Sequence, residues 1–248
     1  MNSFLRTIPV VMTGFLLLGA AGPEGARTFS PYRRYNSNAF VHGNFKPFFQ
    51  RQWKPTPNPP PGDGSSVPPL LLPLSVSSFR MDGRSPIMPK RIAEGARDLE
   101  SEHRKALEDA LVQLLHGYEH LLEQQDASQL KHNLAGAFNH LFMSSYYALR
   151  DGQELNGAQQ RSMLAQLNAA IAMGLKERRL SDRDKQELYE SVVLSGSIIL
   201  GLYNDGRDNG RPDQQKQARE LAKELLEQMM GLRIEKVCLE DTEVRICD

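Results

Sequence analysis

Cysteine is almost missing: two in 248 residues, Cys238 and Cys247, both close to the C-terminus. Two thiols nine positions apart cannot complete a zinc site alone, whereas in an oxidising compartment they can close a small loop, and a disulfide is expected. Net charge is missing too, since 30 Lys and Arg balance 30 Asp and Glu. Long apolar runs are confined to the first residues. Ile8 to Leu18 is apolar apart from Pro9, Thr13 and Gly14, which is short of the ~20 residues that span a bilayer. A single basic residue, Arg6, precedes that run, and Gly19-Ala20-Ala21 offers the small residues a signal peptidase needs, so residues 1–26 read as an export signal. No cysteine follows the run closely, which argues against a lipid anchor.

The zero charge hides a division. Residues 27–87 hold eight Lys or Arg against Asp63 and Asp82, a net of +6, and residues 88–248 carry a net of −6. Eleven prolines lie between Pro31 and Pro86. Proline removes backbone donors and fixes φ, so neither a helix nor a central strand runs through the segment, and 27–87 is expected to be an extended, largely disordered arm. From Arg27 to Lys54 it has no acid, and its basic residues alternate with eight aromatics, among them Phe48, Phe49 and the sole tryptophan, Trp53. Arg33, Arg34, Phe48, Phe49, Arg51 and Trp53 are the residues expected to engage a partner. An anionic envelope surface suits that composition, because cations pair with it while rings settle into its interfacial layer. Nucleic acid suits an exported chain less well. The rival expectation is an arm folded back on the acidic part.

Helical periodicity begins near Ile87. Apolar residues three and four apart predict helices over 88–125 and 129–150, the second stopped by Asp151-Gly152. Asn156 with Gln159, and Ser181 with Asp184, are spaced as capping boxes that open a third and a fourth helix. A fifth follows the turn signal NDGRDNGRPD and ends at Gly231. SVVLSGSIILGLY, Ser191 to Tyr203, is apolar almost all round, so the fourth helix belongs in the middle, with Gly196 and Gly201 allowing close approach of its neighbours. The expected fold is an all-α bundle of about five helices over 88–231, with 232–248 as a disulfide-clipped tail or short hairpin.

The stretches NLAGAFNHLFMSSYYALRDGQELNGAQ and LSDRDKQELYESVVLSGSIILGLYNDG, with a last helix ending LLEQMMGL, resemble a family of exported bacterial all-helical domains of unknown function, over about residues 100–240. The resemblance implies the fold and the export. It carries over no catalytic residue, cofactor or partner.

One short motif invites a catalytic reading. HGYEH, residues 116–120, has the H-x-x-E-H order in which two His bind zinc and the Glu acts as general base. A helix turns ~100° per residue, which places His116 and His120 roughly opposite the face of Leu107, Leu111, Leu114 and Tyr118. Solvated histidines are therefore expected. The loop after Asp205 fails as a calcium site because Arg207 and Lys216 stand where oxygen ligands are needed. Ser195 and Ser197 lack any nucleophile motif, and Tyr146, Tyr147, Tyr189 and Tyr203 read as core. The leading reading is a non-catalytic exported protein acting by macromolecular interaction in the cell envelope or outside the cell, without a cofactor. The alternatives are a zinc hydrolase using His116, Glu119 and His120, and a carrier of a small apolar ligand.

Overall fold

The computed structural model describes residues 47, 49, 50, 72–83 and 85–247. Within them the chain folds as an all-α bundle of six helices with a two-stranded hairpin: α1 Met88–Gly95, α2 Ser101–Gln124, α3 Leu134–Leu149, α4 Gly157–Glu177, α5 Asp182–Asp208 and α6 Pro212–Leu225. A π-helical turn, Leu226–Met230, prolongs α6 to Gly231, whose left-handed φ of 65° stops it. The export signal expected at 1–26 lies outside the described residues, as do Arg33, Arg34, Phe48, Arg51 and Trp53.

α5 is the central helix. Its buried positions run from Gln186 to Gly206, and it packs most extensively on α3 and α6. Both expected capping boxes are formed, at Asn156/Gln159 and Ser181/Asp184. α3 and α5 lie in parallel register, with His140 opposite Ser197 and Tyr147 opposite Tyr203. The intervening α4 makes the return.

Three expectations need correction. The helix expected over 88–125 is two helices, because the chain turns at Ala96, with ψ at 60°, and resumes after the extended Glu100. The turn folds α1 back on α2, so that Met88, Ile92 and Ala96 reach the core as well as Leu107 and Leu111. The second helix starts at Leu134 rather than near 129; left-handed Asp126 and His132 bracket a 3-10 turn over Ser128–Leu130, and the Asn133 side chain accepts from the Gly136 N–H as the true cap. The residues Asn204 to Asp208, read as turn, are the last of α5. Gly206 lets that helix turn closely into α6, since a Cβ there would stand 2.8 Å from the Arg211 carbonyl and the Gln215 nitrogen.

The tail forms an antiparallel hairpin, β1 Val237–Leu239 with β2 Val244–Ile246, and Cys238 is bonded to Cys247 across its open end. Side chains of α4 hold the hairpin by its backbone: Asn156 and Gln159 donate to the carbonyls of Asp241 and Glu240, and Gln166 donates to that of Val244.

The end of the proline-rich segment is laid on the bundle. The Phe79 N–H donates to the His132 carbonyl at 3.0 Å, Ser78 forms a bridge with Asn133, and the Ser77 hydroxyl donates to Asn168 Oδ1 at 2.6 Å. Asn133 and Asn168 donate in turn to the carbonyls of Leu74 and Leu72. Residues 72–87 are thus an ordered strap, whereas the sequence counts them with the arm. Phe49 departs from its expected role in the same way: its ring is fully buried, 5.0 Å from that of Phe138.

Candidate functional site

Buried polar side chains gather in two places, one between α2, α3 and α5 and one under the strap. The first is centred on His140. Its imidazole lies 4.7 Å from the Tyr118 ring, and its Nε2 is 3.0 Å from Ser197 Oγ. Gly196 makes the room, because a Cβ there would stand 2.8 Å from His140 Cδ2 and 3.1 Å from Leu141 Cα. Burial lowers the imidazole pKa to about 4, so His140 is neutral at pH 7. Its Nδ1, the hydroxyl of Tyr118 and that of Ser144 have no hydrogen-bond partner, and burial pushes the Tyr118 phenol well up. Tyr189 continues the ring cluster to Phe79, at 5.4 Å, and to His132, at 6.1 Å.

An imidazole beside a serine hydroxyl is the start of a nucleophilic site. Such a site also needs a group that orients the second ring nitrogen, donors for an oxyanion, and room for substrate. Here Nδ1 is unpartnered and the ring is enclosed by Tyr118, Gly196 and the α3 backbone. What this arrangement does is fix the pairing of α3 with α5. Ser191 and Ser195 turn instead to their own helix, donating to the carbonyls of Glu187 and Ser191. The sequence reading missed His140. The signal was its place in NLAGAFNHLF, one polar ring inside a run of apolar and small residues.

The second group anchors the strap. Glu190 is buried; its Oε2 accepts from the N–H groups of Ile87 and Met88 at 2.8 and 2.7 Å, and its Oε1 from Gln186 Nε2 at 2.7 Å. Gln186 Oε1 accepts from the Asp82 N–H at 2.7 Å. The carboxylate therefore caps the start of α1. Burial raises its pKa, outweighing the three donors that lower it.

The HGYEH segment does not converge. His116 and His120 are exposed on α2, His120 lying near Glu123 and Gln124, while the half-buried Glu119 turns to His132 Nε2 at 3.5 Å. The hydrogen bond with His132 holds the Glu119 carboxyl below its ordinary value. Glu187, nominated by sequence as a third ligand alongside Glu190, instead pairs with Arg91 at 2.5 Å. Among the described residues no group of three or more His, Cys, Asp or Glu is gathered as a metal site. Replacing His116 and His120 together by Gln is expected to change stability by less than about 0.5 kcal/mol, as ordinary surface changes do. Stoichiometric zinc in the purified protein, lost in the double variant, would overturn that reading.

The remaining candidates are also drawn into packing. Tyr147 and Tyr203 meet edge to face at 5.4 Å, with the Tyr147 hydroxyl accepting from Arg207 and the Arg219 guanidinium over the Tyr203 ring. Asp205 accepts from Asn209 at 2.6 Å and pairs with Arg211 at 3.4 Å, so the would-be calcium ligands close the end of α5.

Fold and site together define a helical domain whose buried polar groups join helix to helix and strap to bundle. The chain belongs to a family of unknown function, DUF6683, which its residues 88–246 match. The match takes in the hairpin and begins at α1, just past the strap. No curated protein and no solved structure matches the chain.

Proposed function

We propose that the protein is an exported interaction module without catalytic activity, in which the acidic bundle carries a basic aromatic arm that binds an anionic surface of the cell envelope. The observation that carries the reading is the burial of Phe49 against Phe138. A tether with no role beyond length has no need to seat an aromatic residue in the core. Seated there, Phe49 fixes one point of the arm, with Arg27, Arg33, Arg34 and Lys46 before it and Arg51 and Lys54 after it. Export is supported by the apolar stretch Ile8 to Leu18 and by the joined cysteines. Among the described residues no helix is long and apolar enough to cross a membrane, so attachment there would come from the arm.

Deleting everything before Ile87 would remove Phe49, Ser77 and Phe79 from the core and confuse loss of binding with loss of fold. The cleaner test replaces the six cations of the arm by Gln and leaves Phe49 in place. Each contributes up to ~1 kcal/mol near an anionic membrane, so sedimentation with anionic vesicles at low salt should fall by several orders of magnitude in affinity. Wild-type binding should also weaken as salt rises. Equal sedimentation of the two proteins would remove the arm from any account of function.

A further inference from the structure

Phe49 is a core residue that does not belong to the bundle's own stretch of chain. It is 0 % exposed, while Pro47 and Gln50 on either side of it are exposed, so a single ring from this segment enters the core. Residues 51–71 separate it from the strap and could span up to about 70 Å if extended. They hold seven of the 15 prolines, including Pro59, Pro60 and Pro61. A chain of that composition is a semi-rigid spacer that tends to hold its ends apart. Nothing in the covalent connection obliges Phe49 to enter the bundle of its own chain.

The seat is also larger than one ring. A cleft of about 250 Å³ beside Gln50 is lined by Gly231, Leu232, Arg233, Lys236 and Ile246, where the end of α6 meets the hairpin. Leu232 is buried, and Ile246 packs against the core, so the floor is apolar. The segment that reaches this seat carries only positive charge from Arg27 to Lys54, and the bundle from 88 onwards is net negative. Charge therefore draws an arm to a bundle whichever copy supplies it.

We infer that the seat beside Phe138 is a recognition site for an aromatic residue on a basic peptide segment, and that its occupant in trans is Phe49 of a second copy of this chain. Exchange keeps every contact that Phe49 makes in the closed form, so the linker and the protein concentration set the balance between the two forms. The Phe49 ring offers its edge to Phe138 at an interplanar angle of 60°, the tilted approach that aromatic pairs favour. The stiffness of 51–71 lowers the effective concentration of the arm at its own seat and so favours the exchanged form. This inference concerns pairing between copies and holds whether or not the arm also meets an envelope surface.

The test uses the single tryptophan. A protein carrying Phe49→Ala and Trp53→Phe has an open seat and no tryptophan, and a synthetic peptide of residues 44–54, NFKPFFQRQWK, supplies both. Peptide fluorescence anisotropy is expected to rise saturably with this protein and to respond at least tenfold more weakly to a protein carrying Trp53→Phe alone, whose seat is filled. A peptide with Ala at position 49 should not bind, and Phe49→Leu replaces Phe49→Ala should the latter fail to fold. In parallel, sedimentation of the full chain without vesicles should show a dimer fraction that grows with concentration and is absent from the Phe49 variant. No peptide binding, equal binding to both proteins, or a wild type that stays monomeric at every concentration where the peptide saturates the open seat would each overturn the inference.

Discussion

Glu190→Ala is expected to lower stability by about 3–5 kcal/mol, because it strands three donors at once. The carboxylate receives the N–H groups of Ile87 and Met88 on one oxygen and the Gln186 amide on the other. Gln186 cannot turn over to help, since its own oxygen already accepts from Asp82. The loss should therefore spread to the strap, and limited proteolysis between Asp82 and Met88 ought to accelerate together with a fall in the urea midpoint. An unchanged cleavage rate would mean that the strap is held from its other end, by Ser77 and Asn133. Glu190→Gln separates charge from shape. Burial, the largest influence, raises the native carboxyl above the ordinary glutamate value of 4.5, so the folded protein keeps this proton to higher pH than the unfolded chain does. Between 4.5 and the raised native value the folded state binds more protons, and the stability this group contributes falls as pH rises through that window. Wild type should thus lose ground against Glu190→Gln as pH rises across it. A difference that grows the other way would show that the three donors outweigh burial.

What the sequence made legible were features written in neighbouring residues. Asn156 with Gln159, Ser181 with Asp184, Gly231 as a stop and the unbroken apolar face of Ser191 to Tyr203 each carry their signal within a few positions. The cysteine pair was legible for the same reason, the two thiols having no competitor. The strap was not. A proline-rich segment has few donors and no period, and its order comes from the amides of Asn133, Asn168 and Gln186 and the carboxylate of Glu190, which lie 55 or more residues further on. Phe49 was hidden in the same manner: beside Arg51 and Trp53 it reads as part of a sticky basic run, and only Phe138 shows that it is core. The break at Ala96 was masked by Leu99, which keeps the helical spacing through the turn. His140 escaped notice because a lone histidine in an apolar helix has no local partner to announce it. Its partner Ser197 lies on another helix.

Gly196→Leu is the other substitution with a large expected effect, a loss of about 3 kcal/mol or more. A Cβ at this position meets His140 Cδ2 at 2.8 Å and Leu141 Cα at 3.1 Å. The first neighbour is a ring held by Tyr118 and Ser197, and the second is helix backbone, so neither yields as the end of a flexible chain would. Overpacking of this kind typically costs about 1–3 kcal/mol, and a leucine adds three further carbons in a seam between α3 and α5 that has no room for the first. Even Gly196→Ala should destabilise, although alanine is favoured over glycine by about 1 kcal/mol in a helix interior. Gly117, in the middle of α2, provides the contrast. No atom lies within 4 Å of a Cβ built there, so Gly117→Ala should stabilise by up to about 1 kcal/mol. Gly201, which the sequence paired with Gly196, is half-exposed on the same helix, and its substitution by Leu should cost far less than the same change at Gly196. Thermal unfolding of the four variants ranks them. Equal losses for leucine at 196 and 201 would mean that the contact between α3 and α5 is looser than the His140 geometry requires, and a stable Gly196→Leu protein would show that His140 can leave its seat.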